Sequence, residues 1–111
     1  MTALPEFGSM VVHSSEWREG ERPGELLRPL VDDPSGYRTM LMKIAPGPLG
    51  ASHAHDEVEQ IYVLEGDFFD EDGSYRTGDF VLRMPGTMHR AGSEKGCTMI
   101  VVYTPLAGAR A

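Results

Sequence analysis

The sequence lacks three features that would place it in a specialised class: paired cysteines, a long apolar run and a basic surface. The single cysteine, Cys97, cannot close a disulfide within the chain, which is typical of proteins from a reducing cytosol. No stretch approaches the roughly 20 apolar residues that span a membrane, and no basic-then-apolar signal peptide is found. The net charge of -7 argues against nucleic acid or an anionic membrane as the main partner. These absences predict a soluble, cytoplasmic protein.

The sequence is rich in turn residues, with 13 glycines and 8 prolines among 111 residues. This frequency predicts many short strands rather than helices, and the chain length suits one domain. Residues 1–9 show no periodicity. Their pairs Glu6-Phe7 and Gly8-Ser9 are ones that restriction-site linkers encode, so we expect an added leader or a disordered terminus there. Residues 10–111 form the predicted domain.

Apolar residues occur in short segments that are bounded by glycine, proline and aspartate, a pattern typical of strands. In residues 38–45, Met40, Met42 and Ile44 share one face, which is the period of a half-buried strand. Strands predicted in this way include residues 11–13, 26–31, 38–45, 59–64, 80–84 and 99–103. Predicted loops and turns lie at 16–25, 32–36 and 46–50, with a hairpin at 72–73. Roughly eight to ten strands in one domain predict an all-β sandwich or barrel.

The segment 52–66, SHAHDEVEQIYVLEG, places two histidines and a glutamate before an apolar run. Side chains alternate along an extended chain, so His53, His55 and Glu59 face the same side as Ile61. A histidine pair in an apolar interior is costly unless it is hydrogen-bonded or binds a cation. Imidazole nitrogens with a carboxylate oxygen suit zinc, iron, manganese or nickel. The segment therefore predicts a metal site with these three residues as ligands.

A fourth ligand is needed for tetrahedral coordination, and His89, after the tight turn MPGTMH, is the obvious supplier. Three other residues of suitable chemistry favour a different role. We interpret His13 as a surface residue, and Glu57, in the polar turn after His55, as a solvated one. Cys97 is expected to be a small buried hydrophobe.

The first of two motifs resembles that of the cupin superfamily at every position. It consists, with the family's spacing, of Gly47, His53, His55, Glu59 and Gly66. The second motif is matched more loosely, by Gly78, Gly86 and His89. It departs from the family in two places, since Pro85 directly precedes Gly86 and Ser93 replaces a usual asparagine.

The shifted proline, and the stretches 62–89 and 93–97, resemble the cupin subgroup of the anti-sigma factor ChrR and of acetylacetone-cleaving dioxygenases. The resemblance covers about residues 17–103. It implies a jelly-roll barrel, or double-stranded β-helix, with one divalent transition metal (Fe, Zn, Mn or Ni) in its mouth. The ligands that it implies are His53, His55, Glu59 and His89.

Two functions fit such a site. The first is an Fe-type dioxygenase-like enzyme that acts on a small enolisable ketone or dicarbonyl, with Glu59 as a ligand and, on release, a general base. The second is a non-catalytic metal-binding sensor like the domain of ChrR. The sequence shows no helical region before the cupin segment, which favours the enzyme. Fold alone does not decide between the two.

An enzyme needs a pocket of at least a few hundred cubic ångströms with apolar walls. Met40, Met42, Phe80 and Met99 are candidates for these walls, although a role in the core is favoured for most of them. Arg83, near the rim, is expected to be an exposed arginine at a strand end, with pairing to an anionic substrate as the alternative.

A homodimer is also expected, because the family commonly pairs barrels through edge strands. The strand predicted at 11–13 is the candidate for an exchanged edge. The other expected partner is a small-molecule ligand or substrate.

Overall fold

Nine β-strands and no helix make up the part of the chain that the computed structural model describes, residues 3–13, 16–51 and 54–106. The strands are β1 Arg18–Glu19, β2 Glu25–Asp32, β3 Arg38–Ile44, β4 Gly47–Ala51, β5 Val58–Asp70, β6 Gly73–Arg76, β7 Phe80–Arg83, β8 Arg90–Ser93 and β9 Cys97–Thr104. Within these residues no helix is long and apolar enough to cross a membrane. The prediction of an all-β fold is confirmed.

The strands form an antiparallel sheet that curls on itself in the order β1-β2-β3-β9-β5-β8-β4. β5 is the common element of the sheet. Its first half pairs with β7 and β9, and its second half pairs with β6 and β8. A curled antiparallel sheet of short strands is the jelly-roll class that the sequence predicts.

The face inside the curl is apolar, because side chains of alternate residues are buried along each central strand. In β3, Met40, Met42 and Ile44 are buried as predicted, whereas Lys43 is exposed on the other face. The same alternation in β9 buries Cys97, Met99, Val101 and Tyr103. Each large side chain buried in this way contributes about 1.5–3 kcal/mol. These strands, together with β5, therefore hold the fold together.

The two halves of β5 meet at Gly66, which has a φ of +84°. A Cβ atom at this position would lie 1.9 Å from the carbonyl oxygen of Gly96. The register of β5 against β9 also shifts between Val63 and Glu65, as in a β-bulge. Only glycine allows both this conformation and this close approach. The bend lets one long strand serve two groups of neighbours.

The predicted turn at 46–50 is wrong, because residues Gly47–Ala51 form β4 and pair with β8, Arg90–Ser93. β4 lies at the end of the sheet order, so Pro48 needs no hydrogen-bonded neighbour on its second side. A register shift between Pro48 and Gly50 accommodates the irregular backbone. Proline and glycine here mark an edge strand with a bulge.

The strand predicted at 11–13 is also wrong, since these residues lie outside every strand. The free side of β2 is occupied by Arg18–Glu19, from the segment that was expected to be a loop. The predicted hairpin is confirmed, but its turn lies one residue earlier than 72–73: β5 and β6 pair from Asp70 opposite Gly73, which leaves a two-residue turn at 71–72.

Candidate functional site

A cavity of about 200 Å³ opens inside the curl of the sheet. Its apolar walls are core side chains, among them Met40, Met42, Ile61, Met99 and Val101. Polar side chains at the cavity include His55, Glu59, Arg83 and Tyr103. The volume is smaller than the few hundred cubic ångströms expected, and below the about 300 Å³ at which typical ligand pockets begin. The cavity therefore suits a small ligand.

Glu59 lies in β5 with a polar neighbour on each side, because it is in register with Arg83 of β7 and with Tyr103 of β9. The Tyr103 hydroxyl donates to Glu59 Oε2 at 2.9 Å. Arg83 Nη1 donates to Glu59 Oε1 at 3.5 Å, which is close to the limit of a hydrogen bond. One carboxylate oxygen is therefore firmly held and the other only loosely.

His55 lies just before β5 and also lines the cavity. Its ring packs against the ring of Tyr103, with centroids 4.7 Å apart. Its carbonyl oxygen accepts a hydrogen bond from the amide of Gly86 at 2.9 Å. The turn of the second motif is thus tied directly to the histidine segment of the first.

Tyr103 contacts both His55 and Glu59, although it belongs to neither motif. Burial, followed by the negative charge of Glu59, raises the pKa of Tyr103 above its usual value. The phenol therefore stays protonated and continues to donate. The alternation of β9 that buries Met99 and Val101 also brings Tyr103 inside, so strand parity was a signal that could have revealed it.

The expectation of an exposed Arg83 is wrong. Its side chain is 10% exposed and its Nη2 donates to Asp70 Oδ2 at 2.5 Å. The buried Arg83 Nε has no hydrogen-bond partner among the described residues. Burial tends to raise the pKa of Asp70, but donors from Tyr75, Asp72 and Arg83 together hold it below its usual value. Arg83 is therefore an internal cation that links Glu59 to Asp70.

His89 is buried, but it is not among the residues that line the cavity. Its Nε2 lies 2.9 Å from Asp72 Oδ2, and its buried Nδ1 has no partner in the described part of the chain. Potential ligand atoms of Asp70, Asp72 and His89 all lie within 4.8 Å of one another. These three residues form a second candidate metal-binding group, which the sequence did not predict.

Of the four ligands predicted from the sequence, the structure brings His55 and Glu59 to one cavity and places His89 in the neighbouring acidic group. His53 lies outside the described residues. The full set of four therefore remains a prediction.

The residues given other roles behave as follows. His13 is exposed, as expected. Cys97 is buried, and burial raises the pKa of its thiol to about 12. The expectation of a solvated Glu57 is wrong, because its side chain is half-buried and accepts a hydrogen bond from Arg38 at 3.3 Å. Phe80 is 56% exposed, so it is not a wall of the cavity, in contrast to the methionines.

Comparison with known families gives a match of residues 8–107 to the ChrR cupin-like domain. A comparison with curated protein sequences finds no match. Among solved structures, 161 chains match. Against three of them the chain spans only 51 to 64% of the length of the other protein.

Three of these structures illustrate the range of proteins that share the fold. The anti-sigma factor ChrR of Rhodobacter sphaeroides, in complex with SigE, has a TM-score of 0.65 and 23% identity over 84% of this chain and 51% of that one. The Fe(II) form of HppE has a TM-score of 0.74 and 15% identity, over 86% and 60%. The polyketide cyclase RemF of Streptomyces resistomycificus has a TM-score of 0.68 and 22% identity, over 86% and 79%. At these identities the likeness establishes the fold.

Proposed function

The chain belongs to the family of ChrR cupin-like domains, and we propose that it binds one divalent transition metal and acts as an Fe-type, dioxygenase-like enzyme on a small enolisable ketone or dicarbonyl. The observation that carries this proposal is the placement of His55 and Glu59 at one cavity with otherwise largely apolar walls. Convergent polar groups in an apolar pocket are the usual form of a small-molecule site.

The donors of the chain suit such a metal. We propose His53, His55, Glu59 and His89 as its ligands, a set of three imidazoles and one carboxylate that fits zinc or iron-type ions. Three observations support the fit. Glu59 and His55 share the cavity, and the buried His89 Nδ1 has no partner in the described part of the chain. The carbonyl of His55 is also hydrogen-bonded to the turn that precedes His89.

The residues of the chain have distinct tasks in this proposal. When bound, the metal supplies Lewis-acid stabilisation of a developing enolate charge. Glu59 Oε1, held only at 3.5 Å by Arg83, is the atom that accepts a proton from a bound carbon acid. Tyr103 holds the other carboxylate oxygen and so fixes the orientation of Glu59. The apolar walls exclude water and strengthen these interactions.

A second candidate function is a non-catalytic metal-binding sensor. It is favoured by the match to the ChrR cupin-like family and by an exposed apolar patch on the outer face of β5 and β7, made up of Tyr62, Leu64, Phe80 and Leu82. Patches of this kind mark protein interaction sites. The same patch supports the proposal of a homodimer. The lone buried cysteine supports a cytoplasmic location.

The test is metal analysis of protein purified without chelators or a nickel column, followed by oxygen uptake with β-diketones. We expect one metal per chain, and loss of that metal on double replacement of His53 and His55 by alanine. Glu59→Gln should retain metal through the three histidines and lose oxygen uptake. Glu65→Gln is the matched control, because Glu65 lies in the same strand as Glu59 but is exposed and does not line the cavity. A sensor would bind metal and consume no oxygen.

The acidic group beside His89 provides a further control on the ligand assignment. Asp72→Asn removes one donor of the Asp70, Asp72 and His89 group and leaves the cavity unchanged. We expect metal stoichiometry to be preserved in this variant. Loss of metal in Asp72→Asn, with normal metal in the variants at 53 and 55, would transfer the site to the acidic group.

A further inference from the structure

Three of the ten basic residues of this acidic chain, Arg22, Arg38 and Arg83, line the cavity, together with three carboxylates, Glu21, Glu25 and Glu59. We propose that the cavity takes a short-chain oxo acid, whose carboxylate is received by Arg83, with Arg38 as a second cation at the same cavity. This inference deepens the proposed function, because the oxo group is the enolisable carbonyl of that proposal. The inference that the ligand also carries a carboxylate depends only on the contacts of the arginines.

Arg83 is held in place and still has hydrogen-bonding capacity. Its Nη2 is anchored by Asp70, whose side chain is 1% exposed. Its contact with Glu59 is long, at 3.5 Å, and its buried Nε has no partner among the described residues. A guanidinium has five N–H donors, and a buried donor without a partner is unfavourable. A ligand oxygen that enters beside Glu59 can replace the weak contact and engage this group.

Arg38 provides a second cation whose counter-charge lies outside the cavity. Its guanidinium lies over the Tyr103 ring, 4.2 Å from the centroid, and bonds to Glu57, which is not a lining residue. The charge of Arg22, by contrast, is cancelled at the cavity by Glu25, at 2.6 Å. The carboxylate that pairs with Arg38 thus lies outside the lining, and the charge of Arg38 can still attract a small anion at short range, where screening by salt is weakest.

The remaining walls limit the rest of the ligand. Met40, Met42 and Met99 leave an apolar space, and the volume of about 200 Å³ admits only a short hydrocarbon body. A carboxylate at the arginines with a carbonyl towards His55 and Glu59 places both polar groups of an oxo acid against polar side chains. A neutral ketone would leave Arg83 Nε without a partner, and a larger acid would not fit.

The probes that test this inference are 2-oxobutanoate and its methyl ester, which differ in charge and little in shape. Their binding to the full chain is measured by titration calorimetry, with and without chelator treatment. We expect the acid to bind at least about tenfold tighter than the ester, the equivalent of one charge-assisted hydrogen bond. Ester binding as tight as acid binding in the wild type overturns the inference.

The variants are Arg83→Gln and Arg38→Gln, with Arg76→Gln as the matched control. Arg76 is exposed on β6 and does not line the cavity, so its loss reports the effect of net charge alone. Because Arg83→Gln removes the cation paired with the buried Asp70 and so destabilises the fold, Arg38→Gln provides an independent test. Both should lose about tenfold in acid affinity and little in ester affinity. A folded Arg38→Gln that keeps the wild-type preference removes Arg38 from the site, and unchanged preference in both variants overturns the inference.

The two proposals fail in different ways. Protein without stoichiometric metal that still prefers the acid contradicts the proposed function and supports the carboxylate site. Protein with metal and no preference for the acid contradicts the carboxylate site and leaves the metal assignment intact.

Discussion

Replacing Tyr103 by phenylalanine tests whether one hydroxyl group fixes the carboxylate of Glu59. The substitution removes the 2.9 Å hydrogen bond to Glu59 Oε2 and keeps the ring that packs against His55. Because burial and the charge of Glu59 raise the pKa of Tyr103, the hydroxyl is protonated and donates throughout the neutral range. The loss is therefore that of one hydrogen bond to a charged group.

Such a bond contributes about 1.5–3 kcal/mol. Glu59 is 16% exposed, so water replaces part of the lost interaction and we expect the lower half of this range, about 1.5–2 kcal/mol. An entropy of unfolding of about 2.1 cal/mol/K per residue gives about 230 cal/mol/K for 111 residues. The melting temperature should therefore fall by about 6–9 °C.

The assay is thermal unfolding at pH 7 in metal-free buffer, followed by circular dichroism. Tyr62→Phe is the matched control, because it removes the hydroxyl of a tyrosine that is 45% exposed in the single chain and does not line the cavity. Its stability should change by less than about 0.5 kcal/mol. If Tyr103→Phe melts at the same temperature as Tyr62→Phe, the hydroxyl does not hold Glu59 and the argument fails.

Three other predictions concern the thiol of Cys97, the close approach at Gly66 and the exposed patch that contains Phe80. Burial raises the pKa of the Cys97 thiol to about 12 from a value of 9.0, so its contribution to stability is complete below pH 9 and decreases as the pH rises towards 12. The native thiol should therefore not react with a disulfide reagent at pH 8. Rapid labelling of the native protein would disprove this. Gly66→Ala should lower the free energy of unfolding by more than about 2 kcal/mol, because a left-handed alanine costs about 1–2 kcal/mol and its Cβ would also meet the carbonyl oxygen of Gly96. Gly78 has a similar φ with open space around it, so Gly78→Ala should show the backbone cost alone. The two variants must differ in denaturant midpoint if the close approach is real. Light scattering should give twice the chain mass of 12.2 kDa, and the monomer mass after Phe80→Asp; a wild-type monomer would rule out the dimer.

The strands with strict alternation were predictable from the sequence, whereas the edge strand β4, with a proline and two glycines, was not. Met40, Met42 and Ile44 recur with a period of two, and that period is a local property of an extended chain. The sequence of β4 predicts a turn because proline and glycine, as at Pro48 and its neighbours, are turn residues in most settings. Whether such a segment becomes an edge strand depends on a partner from elsewhere in the chain, here β8, and no local pattern records that partner.

The residues of the candidate site also differ in whether local sequence or long-range contacts determine their placement. His55 and Glu59 come from one segment, so strand parity predicted their common placement at the cavity. Arg83 was expected to be exposed because the residue type is usually exposed. Its burial follows from the register that sets it opposite Glu59 and from the turn of β5 that brings Asp70 within its reach. Those two contacts come from different halves of one bent strand.

The position of His89 shows that sequence spacing alone does not give the partners of a proposed ligand, because residues from a neighbouring loop contact it. The turn at 71–72 lies beside β8, where Glu71 accepts a hydrogen bond from the amide of Arg90 at 2.9 Å. The same turn brings Asp72 to within 2.9 Å of His89 Nε2. A histidine nitrogen that is engaged by a carboxylate is fixed in orientation, which is also the arrangement that supports metal-bound histidines. Asp72 is thus either a competitor for His89 or the residue that orients it, and the metal affinity of Asp72→Asn distinguishes the two. Removal of a competitor leaves the affinity unchanged or higher, whereas removal of an orienting residue lowers it by about 10–100-fold.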